Sequence, residues 1–96
     1  MTKTKLEIGQ VVATPGCLEA LEEAGQSVGE FLDRHLKGDW GELSATDAAL
    51  NDAALEDGSR ILSAYRLRTN IKIWIISNAV DENGKRETIC LLPDEY

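Results

Sequence analysis

Apolar positions recur every three or four residues up to about residue 58, and every second residue after it. In the first part, Val28, Phe31, Leu32, His35 and Leu36 hold the i, i+3, i+4, i+7, i+8 spacing of one buried helix face. Ser27-Val28-Gly29-Glu30 forms a capping box ahead of them, and Lys37 followed by Gly38 suits a last turn and a stop. These residues predict a helix from Ser27 to about Lys37. An earlier helix is predicted from Pro15 to about Ala24, capped by Thr14 and stopped by Gly25, with Leu18, Leu21 and Ala24 on its inner stripe. A third, alanine-rich helix is predicted from Ser44 to about Asp57, with Leu50 and Leu55 supplying most of its apolar bulk. Gly9–Ala13 is a short apolar segment, readable as a strand or an extended arm.

After Gly58 the alternation puts Ile61, Ser63, Tyr65 and Leu67 on one side of a strand and Arg60, Leu62, Ala64, Arg66 and Arg68 on the other. Ile71–Ser77 is β-branched and aromatic with two largely apolar faces, which places it at the centre of a sheet. A tight turn at Thr69-Asn70 would set Tyr65 opposite Trp74 and Leu67 opposite Lys72. Asn83-Gly84 predicts the next hairpin, Arg86–Leu92 the last strand, and Pro93 its end. The expected fold class is α+β: two or three N-terminal helices packed on a three-stranded antiparallel β-meander, in one domain spanning residues 1–96.

Length and charge narrow the function. Ninety-six residues fill one small domain, and no apolar run approaches the span of a membrane helix. Residues 1–7 lack the apolar core of a signal peptide. Cys17 and Cys90 form neither a CxxC pair nor a zinc spacing, so the expectation is two buried free thiols in a reducing cytoplasm, ahead of a single disulfide, which would need an export that nothing signals. The formal charge is −7. Residues 1–58 carry four Lys/Arg against twelve Asp/Glu, and residues 59–96 carry six against five. Such acidity disfavours sequence-independent binding to duplex DNA.

No residue set predicts catalysis. His35, the single histidine, lies on an apolar helix face and reads as a hydrogen-bonded core histidine, with no serine elbow beside it. Neither a metal site nor a cofactor is expected. Two surfaces are candidates for binding. Glu19, Glu22 and Glu23, with Asp39 and Trp40 of the Gly38-Asp39-Trp40-Gly41 connection, are candidates for contact with a protein partner, although for Trp40 a plug between the second and third helices is the favoured reading. Arg60, Arg66 and Arg68 form the alternative, a nucleic-acid patch, which alternation separates from Tyr65 and Trp74.

Gly9–Gly16, Gly38-Asp39-Trp40-Gly41, Gly58–Tyr65 and Ile73–Ile76, taken together, resemble a family of small, mostly uncharacterised plasmid- and phage-associated bacterial proteins, some of them labelled as type I restriction-related. The resemblance covers nearly the whole chain and implies an origin on mobile DNA. It adds no catalytic residue: the Asn/Asp-Pro-Pro-aromatic motif of a methyltransferase subunit is missing. The expected function is a non-catalytic accessory protein that binds another protein, in one version an acidic inhibitor of a restriction or CRISPR-type complex. A small nucleic-acid-binding regulator is the alternative. A free sheet edge would also suit a homodimer.

Overall fold

The computed structural model describes residues 8–96; the N-terminal reading of residues 1–7 lies outside the described residues. The elements are β1 (Ile8–Ala13), α1 (Pro15–Ala24), α2 (Val28–Leu36), α3 (Ala45–Asp57), β2 (Ile61–Arg66), β3 (Lys72–Ser77) and β4 (Arg86–Leu91), then a 3-10 turn at Pro93–Glu95. The fold is α+β, with three helices and a four-stranded mixed sheet in the order β1-β4-β3-β2. The expected meander is present as β2-β3-β4. The three-stranded expectation is corrected by β1, which pairs in parallel with β4. That partner lies over seventy residues away in sequence, so nothing local to Gly9–Ala13 could announce it.

Each helix begins on the side chain that the sequence nominates. Thr14, Ser27 and Ser44 accept from the backbone N–H of Cys17, Glu30 and Asp47, each satisfying a donor that the first turn leaves free. α1 and α2 lay Cys17, Leu21, Ala24 and Phe31 on Tyr65, Leu67, Ile73, Ile75 and Cys90. Trp40, Ala54 and Ile61 form a second cluster with Leu36, Leu43 and Leu55 around it. Ile61 and Tyr65 share one side of β2, so both clusters occupy the same face of the sheet.

Two helix faces differ from expectation. Leu18 is 51% exposed while Cys17 is buried, so the inner stripe of α1 is Cys17, Leu21 and Ala24. Leu50 is 63% exposed, and α3 instead buries Asn51 and Ala54. Asn51 is drawn inward by the sheet. Its Nδ2 donates to the Leu62 carbonyl at 2.7 Å, and its Oδ1 accepts from the Leu62 N–H at 3.3 Å. Further along the same edge, the Ala64 N–H donates to the Trp40 carbonyl, and the Glu42 N–H donates to the Ala64 carbonyl. The outer edge of β2 is thus covered, as an exposed ladder requires.

The register of the first hairpin also differs. Tyr65 lies opposite Ile73 and Ala64 opposite Trp74, one residue away from the expected pairing. The loop holds three residues, not two. Leu67 accepts from Asn70 and donates to Ile71, and Asn70 takes a φ of 77°. Leu67–Asn70 is thus a hydrogen-bonded turn that ends on a left-handed residue. Because strand side chains alternate, the one-residue slip moves Trp74 to the face opposite Tyr65.

Arg86 is a buried cation. Its Nη1 donates to the carbonyls of Ser59 and Asn78, and its Nη2 donates to that of Ala54 at 3.0 Å. Ala54 lies in the last turn of α3, where carbonyls carry partial negative charge, and its carbonyl accepts both Arg86 and the capping Gly58 N–H. Burial lowers the guanidinium pKa, and Asp57 opposes that shift.

Candidate functional site

Glu19, Glu22 and Glu23 follow the i, i+3, i+4 spacing, so they share one side of α1. All three are exposed. The ion pairs among the described residues join Arg34 to Asp39, Lys37 to Asp33 and Arg66 to Glu42, and none engages these glutamates. Residues 15–57 hold eleven Asp/Glu against two Lys/Arg, a balance of −9. Nine of the eleven acids lie on α1, α2 and α3, while Glu42 pairs with Arg66 on the other face of the sheet.

Asp39 and Trp40 do not join that surface. The Asp39 carboxylate accepts from Arg34 Nε at 2.7 Å and from the Gly41 N–H at 3.2 Å. The Arg34 hydrogen bond is the main reason its pKa is lowered. The Asp39 carbonyl accepts from the Tyr65 hydroxyl. Trp40 is 6% exposed, its Nε1 donates to Asp52 Oδ1 at 3.0 Å, and its ring meets His35 edge-on. Trp40 therefore fills the joint between α2 and α3, as the plug reading expects, and is not an exposed anchor. Its indole N–H finds a carboxylate on α3, which makes full burial affordable.

The arginine patch is also rearranged. β2 ends at Arg66, so alternation does not carry through to Arg68. Arg68 lies in the hairpin loop, where its N–H donates to Gln26 Oε1 beside the α1–α2 junction. Arg60 and Arg66 stay on the face away from the helices. Arg66 is held by Glu42 and by the Asn70 carbonyl. The corrected register brings Trp74 to this same face, where its ring meets Tyr96 at 5.7 Å and the Arg60 guanidinium lies over Tyr96. The sequence signal for this was Asn70, a residue that tolerates positive φ and closes a three-residue loop as readily as a two-residue one.

His35 is fully buried, as its helix face predicts. Its Nδ1 lies 2.5 Å from Ser63 Oγ and its Nε2 lies 2.9 Å from Ser77 Oγ, which in turn lies 2.8 Å from Thr88 Oγ1. The neutral imidazole donates through one nitrogen and accepts through the other. Burial, then the charge of Arg86, lowers its pKa to about 4. The chain Ser63–His35–Ser77–Thr88 is a satisfied polar seam under the helices. Among the described residues no cluster of His, Cys, Asp and Glu could hold a metal ion.

The two thiols that the sequence separates by seventy-three positions meet in the core: Cys17 Sγ lies 2.9 Å from Cys90 Sγ. Both are reduced and buried. No family model matches the chain, and no curated protein or solved structure matches it.

Proposed function

We propose that the protein is a non-catalytic interaction module that presents the helical side of its fold to a basic partner surface. The supporting observation is the exposed row of Glu19, Glu22 and Glu23, which no ion pair among the described residues engages. Such a surface attracts a cationic cleft through long-range steering and repels nucleic acid. With the resemblance to plasmid- and phage-associated proteins, the favoured partner class is the DNA-binding cleft of a restriction or CRISPR-type defence complex, where carboxylates would stand in for phosphates.

The alternative is a nucleic-acid-binding regulator that uses the opposite face. The observation in its favour is that Trp74, Tyr96, Arg60 and Arg66 share that face. Base stacking on aromatic rings beside arginines is a general mode of single-strand binding. Its cations are largely engaged within the protein, which ranks it second.

Retention from host lysate distinguishes the two. The expected result is a nuclease or restriction subunit held at low salt, displaced by duplex DNA, and lost when Glu19→Lys, Glu22→Lys and Glu23→Lys are combined. A partner held equally by the charge-reversed chain, or none held at low salt, rules the first reading out. Direct, salt-sensitive binding of a single-stranded oligonucleotide that depends on Trp74 would put the alternative in its place.

A further inference from the structure

We infer that Cys17 and Cys90 are a dithiol pair that closes to an intramolecular disulfide, making the junction of α1 and β4 a redox-modifiable staple. The geometry carries it. The sulfurs are 2.9 Å apart, and a bond of about 2.05 Å needs an approach of only about 0.9 Å. The backbones that carry them are already fixed together. Ala13 pairs with Cys90 in the β1–β4 ladder, the Thr14 N–H donates to the Cys90 carbonyl at 3.0 Å, and Thr14 caps the helix turn that holds Cys17. The pair is therefore held in register from both sides, and closing it asks for no movement of an element.

The two sulfurs are not equivalent. Cys17 sits in the first turn of α1, whose N–H groups are engaged by Thr14 and Glu95. Its pKa is lowered by the hydrogen bond from Cys90, while that of Cys90 is raised by the same contact. Cys17 lies on the helix turn that must open, so it is the nucleophile, and Cys90, held in β4, is the resolving thiol. With a low-molecular-weight disulfide as oxidant, the Cys17 thiolate attacks one sulfur of the reagent, forming a mixed disulfide and expelling one thiolate. Cys90, as its thiolate, then attacks Cys17 Sγ, forming the Cys17–Cys90 bond and expelling the second thiolate. Two electrons pass from the protein pair to the reagent, and the protons of the two cysteines end on the two released thiols.

Both sulfurs are buried, so reaction requires the first turn of α1 to open locally. That turn is fastened by Glu95, whose carboxylate accepts from the Thr14 hydroxyl and from the Leu92 N–H. Once formed, the bond spans seventy-three positions of chain. It restricts the unfolded state strongly and raises the melting temperature of a domain this small by about 10 °C or more.

The test uses the full chain and excess oxidised glutathione. The expected product has lost two hydrogens in intact mass, shows no free thiol after denaturation, and maps to a peptide joining residues 17 and 90. It melts above the reduced form and returns to it with dithiothreitol. Cys17→Ala and Cys90→Ala lose the thermal response to oxidant. Survival of both thiols, a glutathione adduct without the cross-link, or a cross-linked form melting at or below the reduced one overturns the inference. The native-chain mapping decides even if a variant fails to fold.

Discussion

The single histidine couples stability to pH. Folded, His35 resists protonation until about pH 4, whereas the unfolded chain takes up that proton near pH 6.5. The unfolded state therefore binds more protons between these values, so stability is complete above pH 6.5 and is lost as pH falls toward 4. The loss over the whole window is about 3 kcal/mol. Urea unfolding between about pH 7 and 5 should show this decline in the native chain and a much flatter profile in His35→Gln. A native profile flat through that range would refute it. Asp39 and Glu42, held down by Arg34 and Arg66, lose their contribution at more acidic pH, below the ordinary carboxylate range. The sequence made His35 legible as a core residue through its helix face. Its partners Ser63, Ser77 and Thr88 come from three strands, and no spacing could have named them.

Among the elements, the connection between α2 and α3 is the least forgiving. Gly41 has a φ of 76°, and a Cβ there would stand 1.9 Å from the Ala64 carbonyl oxygen and 2.7 Å from the Tyr65 ring. Backbone and a core aromatic cannot both retreat, so Gly41→Ala should cost about 3 kcal/mol or more, through strain and loss of the edge cover on β2. Gly84 has nearly the same φ, 78°, with nothing within 4 Å of a Cβ. Gly84→Ala therefore meets only the conformational penalty, about 1 kcal/mol. Chemical denaturation of the two variants checks the contrast, and equal losses would show that crowding at Gly41 is not the cause. Helix starts and strand alternation were readable because they depend on neighbours in sequence. The faces of α1 and α3 were read in part: Leu18 and Leu50 are the larger apolar residues, but docking selects Cys17 and Asn51.

At the scale of the molecule, negative charge is concentrated in the helical segment. The segment 15–57 carries −9, and the remainder of the chain is slightly positive. Exposed like charges repel across a few ångströms to about a Debye length, and salt screens them. Raising sodium chloride from about 20 mM to about 500 mM should therefore raise the melting temperature of the native chain. The combined Glu19→Lys, Glu22→Lys and Glu23→Lys chain should stay folded, with a smaller salt response. A native chain destabilised by salt would mean that its surface ion pairs outweigh the repulsion. The same measurement supplies the folding control for the retention experiment, so a lost partner can be assigned to charge.

Local chemistry in the chain determined the three helices, their caps, the central place of Ile71–Ser77 and the exposed acidic row of α1, because each depends on residues within a few positions of one another. Tertiary structure alone decided the rest. It chose the parallel seat of β1 beside β4 and the meeting of Cys17 with Cys90. Each of these is a contact between segments far apart in sequence, selected by how the apolar faces close on one another and not by any signal within either segment.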